Sequence, residues 1–121
     1  MFVYLFIGGT IFFTVLGQLS LKAGMLEVGA VPGDLAALPA FLGAAFTNVK
    51  VVVGLASAVM AAVLWMGAVS RSDISFAYPF MALAIVLVLA LSGVVFGEQV
   101  STGRWLGVLI VCLGLIIAAR S

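Results

Sequence analysis

Thr10, Thr14, Gln18 and Lys22 follow one another at four-residue intervals inside an otherwise apolar run. In a helix that spacing draws them along one slowly winding stripe about 120° wide. The threonines alone ask for nothing beyond interhelical packing, because a hydroxyl in a packed membrane helix can bond its own backbone. Gln18 and Lys22 ask for more. An amide has several donors and acceptors to satisfy, and an ammonium near the centre of a membrane helix costs about 2.5 to 3.5 kcal/mol. Close to the helix end, Lys22 can instead snorkel to the headgroup layer. With three polar groups aligned behind it, the arrangement reads as a cation at the mouth of a polar groove. An ammonium there is a point charge toward phosphate, which suits an anionic lipid headgroup.

Other side chains extend this candidate site. Ser72-Asp73-Ile74-Ser75-Phe76-Ala77-Tyr78-Pro79 opens the third apolar run. Pro79 lacks an N–H and crowds the Ser75 carbonyl, so a kink or loosened turn is expected, unless the proline serves only to start the helix. Ser75 and Tyr78, three apart, can share a face toward the groove. Glu98 closes the third run, placed to pair with Arg104 or with a cation elsewhere. Gly107 and Gly114, seven apart with Ala118 beyond, form a small-residue face where another backbone can approach, either as a dimer interface or within the subunit. The four acids Glu27, Asp34, Asp73 and Glu98 lie in or beside connectors, so the spans lack the embedded carboxylate that proton-coupled export of lipophilic cations requires. The absence of histidine and the presence of a single cysteine, Cys112, leave no familiar ligand set for zinc or haem, and no metal or cofactor is expected.

These residues must be positioned by helices in lipid. The chain has 121 residues, 66% hydrophobic and 7% charged, a balance that belongs in a bilayer. A formal charge of +1 without a basic cluster gives no reason to expect a nucleic-acid partner. A hydrocarbon core needs about 20 apolar residues per helix. Spans are therefore expected over residues 2–21, 50–70, 74–97 and 102–120, the last helped by a Ser101 cap and by snorkelling of Arg104 and Arg120. Four separate spans cannot close a barrel, so the fold class is an all-α, four-helix transmembrane bundle forming a single domain. The first run reads as a retained span rather than a signal peptide. Residues 34–47 carry Leu35, Leu38, Phe41, Leu42 and Phe46 at helical spacing, which fits either an interfacial helix or an early, bent start to the second span at Pro39. Lys and Arg divide two against three between the two sides, so dual insertion with an antiparallel dimer and a single fixed orientation stay equally open.

Gly17-Gln18-Leu19-Ser20-Leu21-Lys22, Ala77-Tyr78-Pro79, Gly97-Glu98 with Val100-Ser101, and Trp105-Leu106-Gly107 resemble, in order and spacing, the small four-helix members of the drug/metabolite transporter superfamily. Within it the chain is similar to the paired small subunits of the undecaprenyl-phosphate-aminoarabinose flippase and their EamA-like relatives. The layout also resembles the small multidrug resistance proteins, but Thr14 stands where those proteins carry an essential membrane glutamate. The resemblance implies translocation of a polyprenyl-phosphate-linked sugar, or a similar anionic lipid, across a bacterial cytoplasmic (inner) membrane, without covalent catalysis. It points to Gln18, Lys22, Tyr78 and Glu98, and to an antiparallel homodimer or a heterodimer with a sister subunit. The alternatives are a small-molecule exporter of the same superfamily and a non-transporting accessory subunit.

Overall fold

The computed structural model describes residues 2–121. It is all-helical, with no strand among the described residues: α1 (Phe2–Val28), a 3₁₀ turn (Leu35–Ala37) leading into α2 (Leu38–Thr47), α3 (Val49–Ser70), α4 (Ile74–Ala77), a second 3₁₀ turn (Tyr78–Met81), α5 (Ala82–Val95) and α6 (Thr102–Arg120). Taking α4 to α5 as one segment, four helices are long and apolar enough to cross a membrane. Large side chains such as Phe12, Val59, Leu109 and Ile117 point outward. In water that surface would be untenable, whereas in lipid it is the solvent-facing exterior of a multi-pass membrane protein.

α1 does not end near Leu21 but runs on through Lys22 and Gly24. Its last turn is fastened to the start of α3, where Glu27 accepts from the Asn48 amide at 3.2 Å and from the Lys50 ammonium at 3.2 Å. Gly29, at φ +103°, then terminates it, donating its N–H to the Met25 carbonyl at 2.8 Å. Asn48 also separates α2 from α3. Its side chain accepts from the N–H groups of Lys50 and Val51, an N-cap that restarts the helix after an extended residue. Residues 35–47 therefore form helical structure of their own, with Leu38, Phe41 and Ala45 turned inward while Leu35, Leu42 and Phe46 stay exposed. Pro39 sits in the first turn of α2, where a missing N–H is no loss.

α1 and α3 run antiparallel and almost touch along glycines. A Cβ built at Gly54 would lie 2.9 Å from the Gly17 carbonyl oxygen, and one at Gly24 would lie 2.7 Å from the Val51 nitrogen. Farther along, Gly67 receives the Phe6 ring and Gly9 the Leu64 side chain. Without a hydrophobic driving force between helices in lipid, such close approach and the dispersion it permits hold the pair together.

A neighbouring face of α1 turns to the third segment. There Ile7, Ile11 and Val15 are buried with Ala68, Ala77 and Ala84, flanked by Trp65, Met81 and Val88. The third segment is interrupted where Pro79 requires it: α4 is one turn long, and the backbone tightens into 3₁₀ geometry over Tyr78–Met81 before α5 resumes. α5 stops at Val95, short of Gly97, whose φ of +65° turns the chain aside. Ser101 caps α6 by accepting the Arg104 N–H at 3.2 Å. No residue of α6 is buried, and a Cβ at Gly107 or Gly114 would meet nothing within 4 Å.

The contrast between the two glycine sets is testable. Gly54→Leu should destabilise the protein by about 1–3 kcal/mol or more, because two backbones must part. Gly107→Leu should leave the isolated subunit's thermal midpoint unchanged. Thermal unfolding of monodisperse protein in detergent checks both, and equal shifts would contradict the assignment of the tight seam to α1 and α3.

Candidate functional site

The α1 face that begins as Ile7, Ile11 and Val15 continues, three and four residues on, as Gln18 and Lys22, with Thr14 beside them. Its first half is sealed against Ala77 and Ala84. Its second half opens onto a cavity of about 670 Å³ between α1 and the third segment. One wall carries Thr14, Gln18 and Lys22; the other is apolar, with Met81, Ile85, Val88 and Leu89. Tyr78 borders it toward the proline-bearing turn, and Ser92, Phe96 and Glu98 toward the opposite end. A second cavity, of about 370 Å³, lies between α1 and α3 and includes Thr10, Ala58 and Trp65 in its lining. Thr14, Gln18, Tyr78 and Met81 border both spaces and form the waist between them.

The polar groups divide by what they bond. Thr10 is buried and returns its hydroxyl to the Phe6 carbonyl at 2.7 Å, and Ser92 donates to the Leu89 carbonyl at 2.9 Å. Those hydroxyls are satisfied within their own helices. Neither Thr14 nor Gln18 has a side-chain hydrogen bond among the described residues, and no buried side-chain polar atom there lacks a partner. Both therefore turn their polar atoms to open space, where an entering ligand or water can meet them.

Lys22 lies 3.8 Å from Glu98, with both side chains about half exposed (49% and 42%). The pair closes one end of the larger cavity and supplies the only charged groups in its lining among the described residues. Glu98 thus finds its cation in α1 rather than in the nearby Arg104. Gly97 makes this geometry available, since its left-handed backbone ends α5 and swings Glu98 across toward α1. At the other end Tyr4 meets Phe76 and Phe80 edge-on at 6.4 and 6.0 Å, and Trp65 meets Tyr78 edge-on at 5.7 Å. These offset contacts brace the 3₁₀ turn.

The structure brings Thr14, Gln18, Lys22, Tyr78 and Glu98 to one cavity and leaves Ser75 out of it. Ser75 is exposed and borders neither space. Gly107 and Gly114 also lie away from both cavities. Ser92 and Phe96 were not singled out from the sequence. Ser92 is the one hydroxyl in the apolar stretch of α5, a signal as local as that of Thr14. Phe96 carried no signal, since its place follows from the turn at Gly97.

No protein-family model matches the chain, and no solved structure matches it significantly. Curated proteins do. The chain is 27% identical over 116 residues to the probable 4-amino-4-deoxy-L-arabinose-phosphoundecaprenol flippase subunit ArnF of Aeromonas hydrophila, an alignment covering 94% of this chain and 77% of that protein. It is 29% identical over 107 residues to the corresponding probable subunit ArnE of Pseudomonas savastanoi, covering 88% of each. A shorter stretch of 54 residues is 39% identical to the probable ArnE of Aeromonas hydrophila, over 45% of this chain and 47% of that one. The chain is thus a relative of small flippase subunits, similar over most of its length to both ArnE and ArnF proteins.

Proposed function

We propose that this chain is one subunit of a flippase that carries a polyprenyl-phosphate-linked sugar across a bacterial cytoplasmic membrane. The observation that carries the proposal is the two-sided cavity: Thr14, Gln18 and Lys22 on one wall face an apolar wall of α5. An amphiphile needs both. The Lys22 ammonium attracts the phosphate, Gln18 and Thr14 hydrogen-bond the sugar, and the prenyl chain stays against α5 or in lipid. The waist formed by Thr14, Gln18, Tyr78 and Met81 leads toward the second cavity, where the one further hydroxyl, that of Thr10, is already bonded to the Phe6 carbonyl. The reaction is transfer between leaflets, so no bond is made or broken.

Similarity to both ArnE and ArnF proteins supports a second subunit, either a sister chain or an inverted copy of this one. The exposed α6, with open backbone at Gly107 and Gly114, is the face we assign to that contact. Export of lipophilic cations is the weaker reading. The one carboxylate on the cavity, Glu98, is already engaged by Lys22 and sits outside the helices.

Two outcomes are expected when labelled polyprenyl-phosphate sugar is followed between leaflets of proteoliposomes holding this chain and its partner subunit. Lys22→Gln should cut transfer about tenfold or more, the loss of one charge-assisted contact, without changing the thermal midpoint. Transfer at the parent rate would remove Lys22 from the route. Gln18→Leu should also slow transfer, whereas Ser75→Ala should not; the opposite ranking would mean that the cavity is not the path.

A further inference from the structure

Residues 35–47 border neither cavity. No charged residue lies between Asp34 and Lys50, and the one hydroxyl of α2, on Thr47, is returned to the Gly43 and Ala44 carbonyls at 2.8 and 3.2 Å. Nothing on the helix asks for water or offers a polar contact to a protein partner, yet within α2 only Ala45 is buried. Such a helix has no stable place in water. It is also too short to cross a bilayer, which takes about 20 residues. Both of its ends are polar. Asp34 caps the start by accepting the Ala36 N–H at 3.0 Å, and the finish is tied through Asn48 to Glu27 in the last turn of α1. Standing α2 upright in the membrane would carry the Asp34 carboxylate into hydrocarbon, where it is costly.

The depth of the polar ends follows from α1. Phe2 lies 5.9 Å from the Arg71 guanidinium at the opposite end of the bundle, and at about 1.5 Å per residue Glu27 is about 37 Å farther along the helix. A hydrocarbon core is about 30 Å thick, and about 40–45 Å with its headgroup layers. Glu27 and Asn48 therefore fall in the interfacial layer. We infer that α2 lies in the plane of that layer as a monotopic anchor, with Leu42 and Phe46 embedded among the acyl chains of one leaflet. Leu42 and Phe46 share one side of the helix, Ala40 and Ala44 occupy the opposite side, and Leu38, Phe41 and Ala45 face the bundle between them. The exposed apolar surface of Phe46 passes through Val49 to Val52 and Val53, so it is continuous with the lipid-facing exterior of α3. Interfacial helices commonly add attraction to anionic lipids through a basic face. α2 has no such face, so its hold is apolar alone. The anchor lies on the membrane side where the larger cavity has its charged mouth, and Lys22 is about 7 Å deeper along α1 than Glu27.

The test places a nitroxide on single cysteines, Ala40→Cys, Leu42→Cys, Ala44→Cys and Phe46→Cys, in the full chain carrying Cys112→Ala. The protein is reconstituted alone in phosphatidylcholine vesicles, with and without added phosphatidylglycerol, and each label is probed with oxygen, which concentrates in hydrocarbon, and with a water-soluble nickel chelate. All four positions are exposed, so no label displaces a packed side chain. The ratio of oxygen to nickel collisions should be several-fold higher at 42 and 46 than at 40 and 44, and should place 42 and 46 about 5–10 Å into the leaflet. Adding phosphatidylglycerol or salt should leave the ratios unchanged. Nickel access at all four positions would put α2 in water, and shielding of 42 and 46 from both reagents would put a protein against them. Either result overturns the inference, as does a depth near the bilayer centre or one that grows with phosphatidylglycerol. Either neighbouring pair, 40 with 42 or 44 with 46, decides the matter if one variant fails to reconstitute.

Discussion

α1 and α3 approach until the carbonyl of Gly17 lies against Gly54 and the backbone of Gly24 lies against Val51, and the candidate site depends on that contact. A side chain at any of these positions would force the helices apart, and in lipid no hydrophobic effect would draw them back. The seam fixes the rotation of α1. With its glycine edge committed to α3, its neighbouring face, from Ile7 through Gln18 to Lys22, is left to the third segment. The pairing of Glu27 with Asn48 and Lys50 locks the far end of the same seam and carries α1 past Lys22, so that the lysine lies within a helix and not in a frayed end.

That face changes character halfway along. Its first half is aliphatic and packs against small residues of α3, α4 and α5; its second half is polar and meets an opening. The change follows from the price of burying amides and ammonium groups in hydrocarbon, since Gln18 and Lys22 cannot be packed away as Ile7 and Ile11 are. The 3₁₀ turn at Pro79, braced by Phe76, Phe80 and Trp65, delivers Tyr78 to the boundary between the two halves. A transport route for an amphiphile needs this combination of a wettable wall, an oily wall and an end that can be charged.

Much of this was legible in the sequence because it is periodic or local. The four apolar runs give the helices, four-residue spacing gives the polar stripe, and Pro79 announces a disturbance where the helix tightens. Asn48 as a cap and Glu27 as an anchor were not legible, so the apolar run ending at Leu21 did not show how far α1 continues, to Val28. The partner of Glu98 was equally hidden, because a left-handed turn at Gly97, and not helical spacing, brings it to Lys22. Glycine spacing drew attention to Gly107 and Gly114, whereas the tight contact within the subunit uses Gly17, Gly24 and Gly54. Spacing marks where backbones can approach, but which helix answers is set by packing far along the chain.

The central claim is that the second half of this α1 face is wet while the surfaces around it are not. Single cysteines at positions 11, 14, 16 and 18, introduced with Cys112 replaced by alanine, can be treated in intact membranes with a charged, membrane-impermeant maleimide. Thr14→Cys and Gln18→Cys should be labelled, while Ile11→Cys, packed against the third segment, and Leu16→Cys, facing lipid, should not. Labelling that is absent at 14 and 18, or no greater there than at 16, would contradict the account.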